Sequence, residues 1–360
     1  MISHLQMELI CTFTGYMDSL TQIVLGAACG EAVLGKKIGN KALLFGAIGG
    51  TIPDLDVFIG PLMYNNEIQA MAFHRGFMHS ILFSILGAFF FGWFVFMLYN
   101  KGKRRASTTL KDWILLFFWA LFTHHILDAF TPYGTQLFAP FSDYRVALNN
   151  ISVADPLYTL PFLLCIIILM FFRRTNTKRR LWLKIGIVVS SAYMLFTLVN
   201  KVRVDSIFEK SLKDNRILYQ RFQIQPTIFN NVLWYGVAET RSFYYLGFYS
   251  LLDDEKTVMN WVKIEKQHNL LSMTDKDLAT LAWFSNNYYN IYKTDADDEY
   301  KYNDLRYPLL DPKKPESSLF SFRIYNNKGR WDMKNTRPKI DENSTMASIF
   351  GPMINRLKGQ

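Results

Sequence analysis

From Ile81 to Tyr99 the chain carries no charged side chain. As a helix, a run of about 20 apolar residues matches the hydrocarbon core of a bilayer, about 30 Å thick. In that solvent every backbone polar group has to be satisfied internally, which restricts the surrounding chain to helices or a closed barrel. Five further apolar segments accompany this one, giving six at about 19–35, 41–60, 77–99, 112–130, 153–172 and 182–200. The last four are long enough to cross. The first two are shorter and rich in Gly and Ala, a composition that lets membrane helices approach closely. Packed, tilted or partly re-entrant helices all fit those two.

Mean hydropathy is only +0.05 because two populations are averaged. Residues 17–200 read as a transmembrane domain, 201–326 as a soluble β-rich domain, and 327–360 as a polar C-terminal tail that frays. The expected fold is therefore an all-α polytopic membrane bundle of about six helices, followed by a small β-rich α+β soluble domain. In the soluble part a helix over about 201–217 leads out of the membrane. Alternating segments at about 218–225, 230–240, 242–250, 257–266, 288–293 and 318–326 read as strands. Asp275 to Asn286 reads as a helix with Thr274 as its N-cap.

The net charge of +10 does not point to nucleic acid, because much of the excess sits in short clusters beside apolar spans. Lys101, Lys103, Arg104, Arg105 and Lys111 form one cluster, and Arg173, Arg174, Lys178, Arg179, Arg180 and Lys184 form another. Basic loops of this kind mark the cytoplasmic side. Lys36, Lys37 and Lys41 join them, and the alternation closes with six crossings, both termini outside, and the soluble domain on the non-cytoplasmic side. Cys11, Cys29 and Cys165 show no spacing for a disulfide framework or a zinc knuckle. No cleavable signal peptide stands out, and Met17 reads as a plausible start, with residues 1–16 as an extension.

On this map the unusual polar residues gather on the outer face. Asp18 and Gln22 begin the first segment, Asp54 and Asp56 end the second, His74 and His79 precede the third, and His124, His125 and Asp128 end the fourth. Ionisable groups near membrane depth are costly and usually functional. His124 and Asp128 are i and i+4, one helix face, a spacing that suits two ligands of one metal; His125 is turned about 100° away. Asp54 and Asp56 at a helix C-terminus oppose the macrodipole, and a cation relieves that. His74 and His79 bracket Arg75, a natural clamp for an anion, and Ser80 is placed to orient one ring. In the outer loop, Gly134 suits a tight turn, and Ser142 and Arg145 suit an anionic group. No Walker motif, dinucleotide fingerprint or Gly-x-Ser-x-Gly elbow is present.

Taken in order, Met17-Asp18-Ser-Leu-Thr-Gln22, Pro53-Asp54-Leu-Asp56, His74-Arg-Gly-x-x-His79-Ser80, His124-x-x-x-Asp128, Thr131-Pro-x-Gly134 and Pro-Phe-Ser142-Asp143 resemble the membrane-bound metal-dependent hydrolases of the YdjM/YbcI type. The resemblance covers about residues 17–200. It implies a bacterial inner-membrane protein with hydrolase activity. The His-Arg-Gly-x-x-His-Ser element is more faintly similar to zinc-dependent phospholipase C-like enzymes.

The expectation is then a membrane hydrolase acting at the outer face on a lipid or lipid-linked ester or phosphoester. A divalent metal, zinc or alternatively manganese, would be held by His74, His79, His124 and Asp128 with Asp54 or Asp56. A remaining carboxylate, Asp18 or Asp56, would be the general base. Arg75, with Gln22, Ser142 and Arg145, would bind substrate. The alternatives are a transporter, or a metal-stabilised scaffold or signalling protein. A transporter would need polar groups through the bilayer or an inverted repeat, and the third to sixth segments carry almost no mid-span ionisable residue.

Overall fold

In the computed structural model, which describes residues 2–296, 298–309, 317–336 and 346–359, a helical N-terminal region precedes an antiparallel β domain. The helices are α1 (Ile2–Ile38), α2 (Asn40–Thr51), α3 (Asp56–Met63), α4 (Glu67–Phe73), α5 (Ile81–Tyr99), α6 (Leu110–Phe130), α7 (Pro156–Met170) and α8 (Thr177–Asp214). Among the described residues α5, α6 and α8 are long and apolar enough to cross a membrane, and α2 with the Pro53–Met63 piece makes a fourth if the bent pair is one span.

The small residues of the first two segments do what their size permits. A Cβ on Gly30 would stand 2.0 Å from the Ala42 carbonyl oxygen, and one on Gly46 would stand 2.2 Å from that of Gly26. The α1–α2 pair therefore packs backbone against backbone. Leu34, Ala42, Trp113, Leu116, Phe117 and Leu121 join it to α6 in one core.

Two membrane segments depart from expectation. Segment 41–60 is not one helix: Pro53 ends α2, a 3-10 turn follows over Pro53–Leu55, and the chain bends by 45° into α3. Asp54 and Asp56 thus sit at a break, not at a helix C-terminus. Asp56 opens α3, where the dipole favours it. Segment 153–172 yields only the 15 residues of α7, about 22 Å of helix, because Asp155 caps it at the start and the chain leaves the helix after Met170.

The basic loops do cluster at one end. Lys37 pairs with Asp112 at 2.5 Å, and Arg174 donates to the Lys37 carbonyl. Arg179, however, is no surface charge. It is buried and forks onto Glu31 at 2.6 and 2.5 Å, with further bonds to Asn40 Oδ1 and the Leu169 and Phe172 carbonyls.

The 38-residue α8 continues unbroken into the soluble part, where Val204, Ile207 and Phe208 pack under Ile224, Trp234 and Tyr249. Two four-stranded antiparallel meanders follow. The first comprises β1 (Arg221–Pro226), β2 (Leu233–Glu239), β3 (Phe243–Ser250) and β4 (Met259–Glu265). The second comprises β5 (Tyr289–Lys293), β6 (Glu299–Asp304), β7 (Ser321–Asn327) and β8 (Arg330–Thr336). Between them lies α9 (Lys276–Phe284), capped by Asp275 rather than Thr274, since the Asp275 carboxylate accepts from the N–H of Asp277 and Leu278. Six strands fall where alternation places them; β6 and β8 do not announce themselves.

The tail expected to fray from 327 instead supplies β8. Lys328 and Gly329 both take positive φ, the two-residue turn that matches strand twist. Farther on, α10 (Met346–Leu357) returns to the first sheet, where the Leu357 carbonyl accepts from Ser250 Oγ and Arg356 pairs with Asp253. The part of the expected tail between these elements, 337–345, lies outside the described residues.

The two regions meet through α4. Ile68, fully buried, belongs to the core of the second sheet with Leu278, Leu281, Tyr289, Ile291 and Ile324. Around it Asn66 Nδ2 donates to the Trp331 carbonyl (2.6 Å), the Glu67 N–H to Asp332 (2.9 Å) and Gln69 Nε2 to Asp277 (2.9 Å).

Candidate metal centre

Three pieces of chain bring the polar residues together at the end of the bundle nearer α4. The Pro53 break presents Asp54 and Asp56 side by side. The last turns of α6 present His124 and Asp128 on one face. The short turn after α4 presents His74, Arg75 and His79. Arg75 takes the left-handed conformation (φ 59), uncommon for a branched-free but bulky side chain. Its N–H there donates to Asp56 Oδ2 at 3.0 Å.

Four ligand-type atoms converge. His79 Nε2 lies 3.3 Å from Asp54 Oδ1 and 3.5 Å from Asp128 Oδ2; His124 Nε2 lies 3.5 Å from Asp54 Oδ1 and 3.4 Å from Asp128 Oδ2. Ligand atoms of Asp54, His79 and His124 all fall within 4.8 Å of one another. A tetrahedral metal with arms of about 2.0–2.1 Å would separate its ligand atoms by roughly 3.3–3.4 Å.

The tautomers agree with that geometry. His124 Nδ1 is 2.7 Å from the Gly50 carbonyl oxygen. A carbonyl only accepts, so Nδ1 carries the proton and Nε2 of the neutral ring is bare. That nitrogen and Asp128 Oδ2 are both buried without a hydrogen-bond partner, and in the neutral ring two lone pairs face each other. Buried polar atoms are rarely left so, and a cation between them satisfies both. A metal-ligating imidazole typically donates its other N–H to a carbonyl or carboxylate, as here.

Asp56 stands behind the cluster. Its Oδ1 meets His74 Nδ1 at 2.7 Å, and its Oδ2 meets the Arg75 N–H and lies 3.1 Å from His79 Nδ1. Both oxygens are engaged: one holds the His74 ring by its Nδ1 edge and the other the Arg75 N–H, while His79 Nδ1 approaches without an aligned hydrogen bond. Burial keeps His74 below the usual imidazole range despite Asp56, so this ring is neutral at neutral pH. Gln22 Nε2 donates to Asp128 Oδ1 at 2.9 Å. Arg75 Nη1 donates to Thr131 Oγ1 at 2.9 Å, and its Nη2 lies 3.5 Å from Asp128 Oδ1.

The remaining candidates fall elsewhere. The side chain of Asp18 lies outside the described residues. Ser80 does not orient a ring; it caps α5, accepting from the Phe83 N–H. Ser142 accepts from the Tyr144 N–H in the outer loop, and among the described residues no contact joins it to the cluster. Gly134 does supply a positive-φ turn (φ 83), and Arg145 Nη2 donates to its carbonyl at 2.9 Å. Burial, with Arg306 and Arg75 nearby, pushes the Arg145 guanidinium down to about 10.

Other residues surround the cluster. His125 is fully buried with its ring 5.6 Å from that of His79. The Tyr133 ring packs 5.5 Å from His74 and 5.2 Å from Phe284 of α9. Nothing in the local sequence ties Phe284 to a site some 150 residues earlier; the docking of the β domain on the helical region brings it there.

The family described as YdjM inner membrane protein matches residues 17–204. A Bacillus subtilis relative described as uncharacterized protein YfhP is 30% identical over 150 residues, which cover 39% of this chain and 42% of that protein. The match thus spans less than half of the relative's length. No solved structure matches.

Proposed function

The chain belongs to the YdjM inner membrane protein family, and on that premise we propose that it is a metal-dependent hydrolase of the membrane, acting on an ester or phosphoester at the outer face. The observation that carries this reading is the bare, buried Nε2 of His124 against the orphaned Asp128 Oδ2. His79, His124, Asp54 and Asp128 would hold the ion, and their imidazole and carboxylate chemistry suits zinc, with manganese second. When bound, such an ion supplies a water of lowered pKa and a Lewis acid.

The protein's own groups divide the remaining work. Asp56 fixes the tautomer of His74 and anchors the Arg75 N–H, so both its oxygens already accept hydrogen bonds where a general base would take a proton. His74, its Nδ1 on Asp56 and its side chain 23% exposed, is the group placed to take one, in the role first given to Asp18 or Asp56. Gln22 and Arg75 hold Asp128 in place, and Arg75 adds positive charge beside the cluster.

The outer-face placement rests on the basic loops gathering at the end away from α4. Six crossings would follow if α1 and α7 also span. A reporter fused after residue 200 should read outside the cytoplasm, and a cytoplasmic signal would overturn the placement. For the centre itself, elemental analysis of detergent-purified protein should find one or two zinc or manganese per chain, lost in His79→Ala and Asp128→Ala. A folded wild type that takes up no metal would sink the hydrolase reading.

A further inference from the structure

The β domain reaches the centre as well as the loop that feeds it. Arg145 Cζ lies 4.9 Å from the Tyr133 ring centroid, 5.3 Å from Trp283 and 5.0 Å from Phe284. The same Tyr133 ring has Arg75 Cζ at 4.7 Å, and Arg75 touches Asp128. One aromatic ring therefore separates the Arg145 guanidinium from a cation that borders the candidate metal ligands. Trp283 and Phe284 close α9, so the roof over Arg145 comes from the C-terminal domain.

Arg145 is under-satisfied. Its Nη2 reaches the Gly134 carbonyl, but Nε and Nη1 are out of solvent with no hydrogen-bond partner. Among the described residues no carboxylate lies in ion-pair range of it. Arg306, the other cation against Phe284, is already matched by Asp304 at 2.6 Å. Charge balance isolates Arg145 further. The three carboxylates Asp54, Asp56 and Asp128 would be matched by a divalent ion and Arg75. One positive charge then remains, on a side chain with two idle donors. Stacking on aromatic rings stabilises a guanidinium but does not use its in-plane N–H groups, which fit an oxyanion.

We propose that the C-terminal domain, through Trp283 and Phe284, roofs an oxyanion pocket on Arg145 that takes the phosphate group of the substrate. The pocket stands on its own contacts; calling its occupant a substrate rests on the hydrolase reading. Phosphate is favoured over a carboxylate because a tetrahedral group can give one oxygen to Arg145 and still keep another for its ester link. The phosphate can belong to a lipid headgroup or to a soluble ester.

The test is a calorimetric titration of inorganic phosphate into the full-length protein in a phosphate-free maltoside detergent, with metal content and melting temperature measured on the same samples. Arg145→Gln should weaken phosphate binding at least tenfold, Arg145→Lys should fall between, and Trp283→Ala should weaken it severalfold, all with metal content unchanged. Should Arg145→Gln misfold, the Arg145→Lys and Trp283→Ala variants still decide. Wild-type affinity in the folded variants, no phosphate binding by the wild type, or acetate competing as well as phosphate would each overturn the proposal. Phosphate binding that depends on Arg145 in a protein holding no metal would keep the pocket while the hydrolase reading fails. Repeating the titration in phosphatidylglycerol nanodiscs separates the sources: competition by the lipid identifies a headgroup site, and its absence a soluble phosphoester site, the pocket standing in both.

Discussion

Apart from Asp54 on the Pro53 break, the side chains of the candidate centre come from two kinds of scaffold. His124 and Asp128 ride on α6, a 21-residue helix that starts with a Thr109–Asp112 capping box and packs its apolar face on α1, α2 and α5. His74 and His79 ride on a turn that has no regular structure of its own beyond the 3-10 residues Phe77–His79. The helix needs nothing but its own ladder and core to place two side chains one turn apart. The turn has to be held from outside, by Asp56 beneath it and by α4 clamped in the β domain above it. A cluster shared between a rigid helix and a tethered turn fixes half of the geometry in the helical bundle and leaves the other half to the β domain.

That contrast predicts graded losses of metal affinity. The largest should follow removal of a helix ligand. His124→Ala deletes the bare Nε2, and because loss of an outer partner alone typically costs about 10–100-fold, affinity should fall by about 100-fold or more in a metal titration. Next comes the carboxylate behind the turn. Asp56→Asn keeps the size but weakens the acceptor for His74 Nδ1 and for the Arg75 N–H, so His74 loses its fixed tautomer and the turn its anchor. The expected loss is about 10–100-fold, with far-ultraviolet circular dichroism unchanged. If Asp56→Asn costs as much as His124→Ala, Asp56 is itself a ligand and the division between helix and support fails.

The same contrast explains what the sequence discloses. The α6 site is legible because a helix translates spacing into direction: i and i+4 is one face wherever the helix lies. The Gly and Ala content of α1 and α2 likewise foretells close packing, since its physical cause is local size. What escapes is set by distant chain. Hydropathy joins 41–60 into one segment, while Pro53 and the two aspartates divide it. Glu31 and Arg179, 148 residues apart, cancel each other in the interior, so a charge count places Arg179 wrongly at the surface. In β8 only Trp331 and Met333 are apolar, and its backbone is held by hairpin pairing with β7, which composition cannot reveal. Trp283 and Phe284 look like ordinary core residues of an α9 face. Their place beside Tyr133 and Arg145 depends on docking between domains, for which no periodicity exists.

Smaller effects should come from the tether itself. Ile68 touches no metal ligand; it is a buried residue of the second sheet's core, six positions before His74. Ile68→Ala should destabilise the β domain by about 2–5 kcal/mol, as for other truncations in a packed core. If the turn then regains the freedom of about one residue, worth about 1–2 kcal/mol, metal affinity drops roughly tenfold while His124 and Asp128 remain in place. Gln69→Ala removes one side-chain hydrogen bond to Asp277, which Arg330 still holds at 2.9 Å. It should cost about 1 kcal/mol of domain stability and change metal affinity by less than about twofold. Phe90→Ala on α5 is the control, a comparable truncation on a side chain 59% exposed along the bundle's apolar surface. It should leave metal affinity at the wild-type value. Should Ile68→Ala behave like Phe90→Ala in the metal titration while its β domain melts early, the soluble domain is a passenger to the centre, and α6 with the Pro53 break suffices to build it.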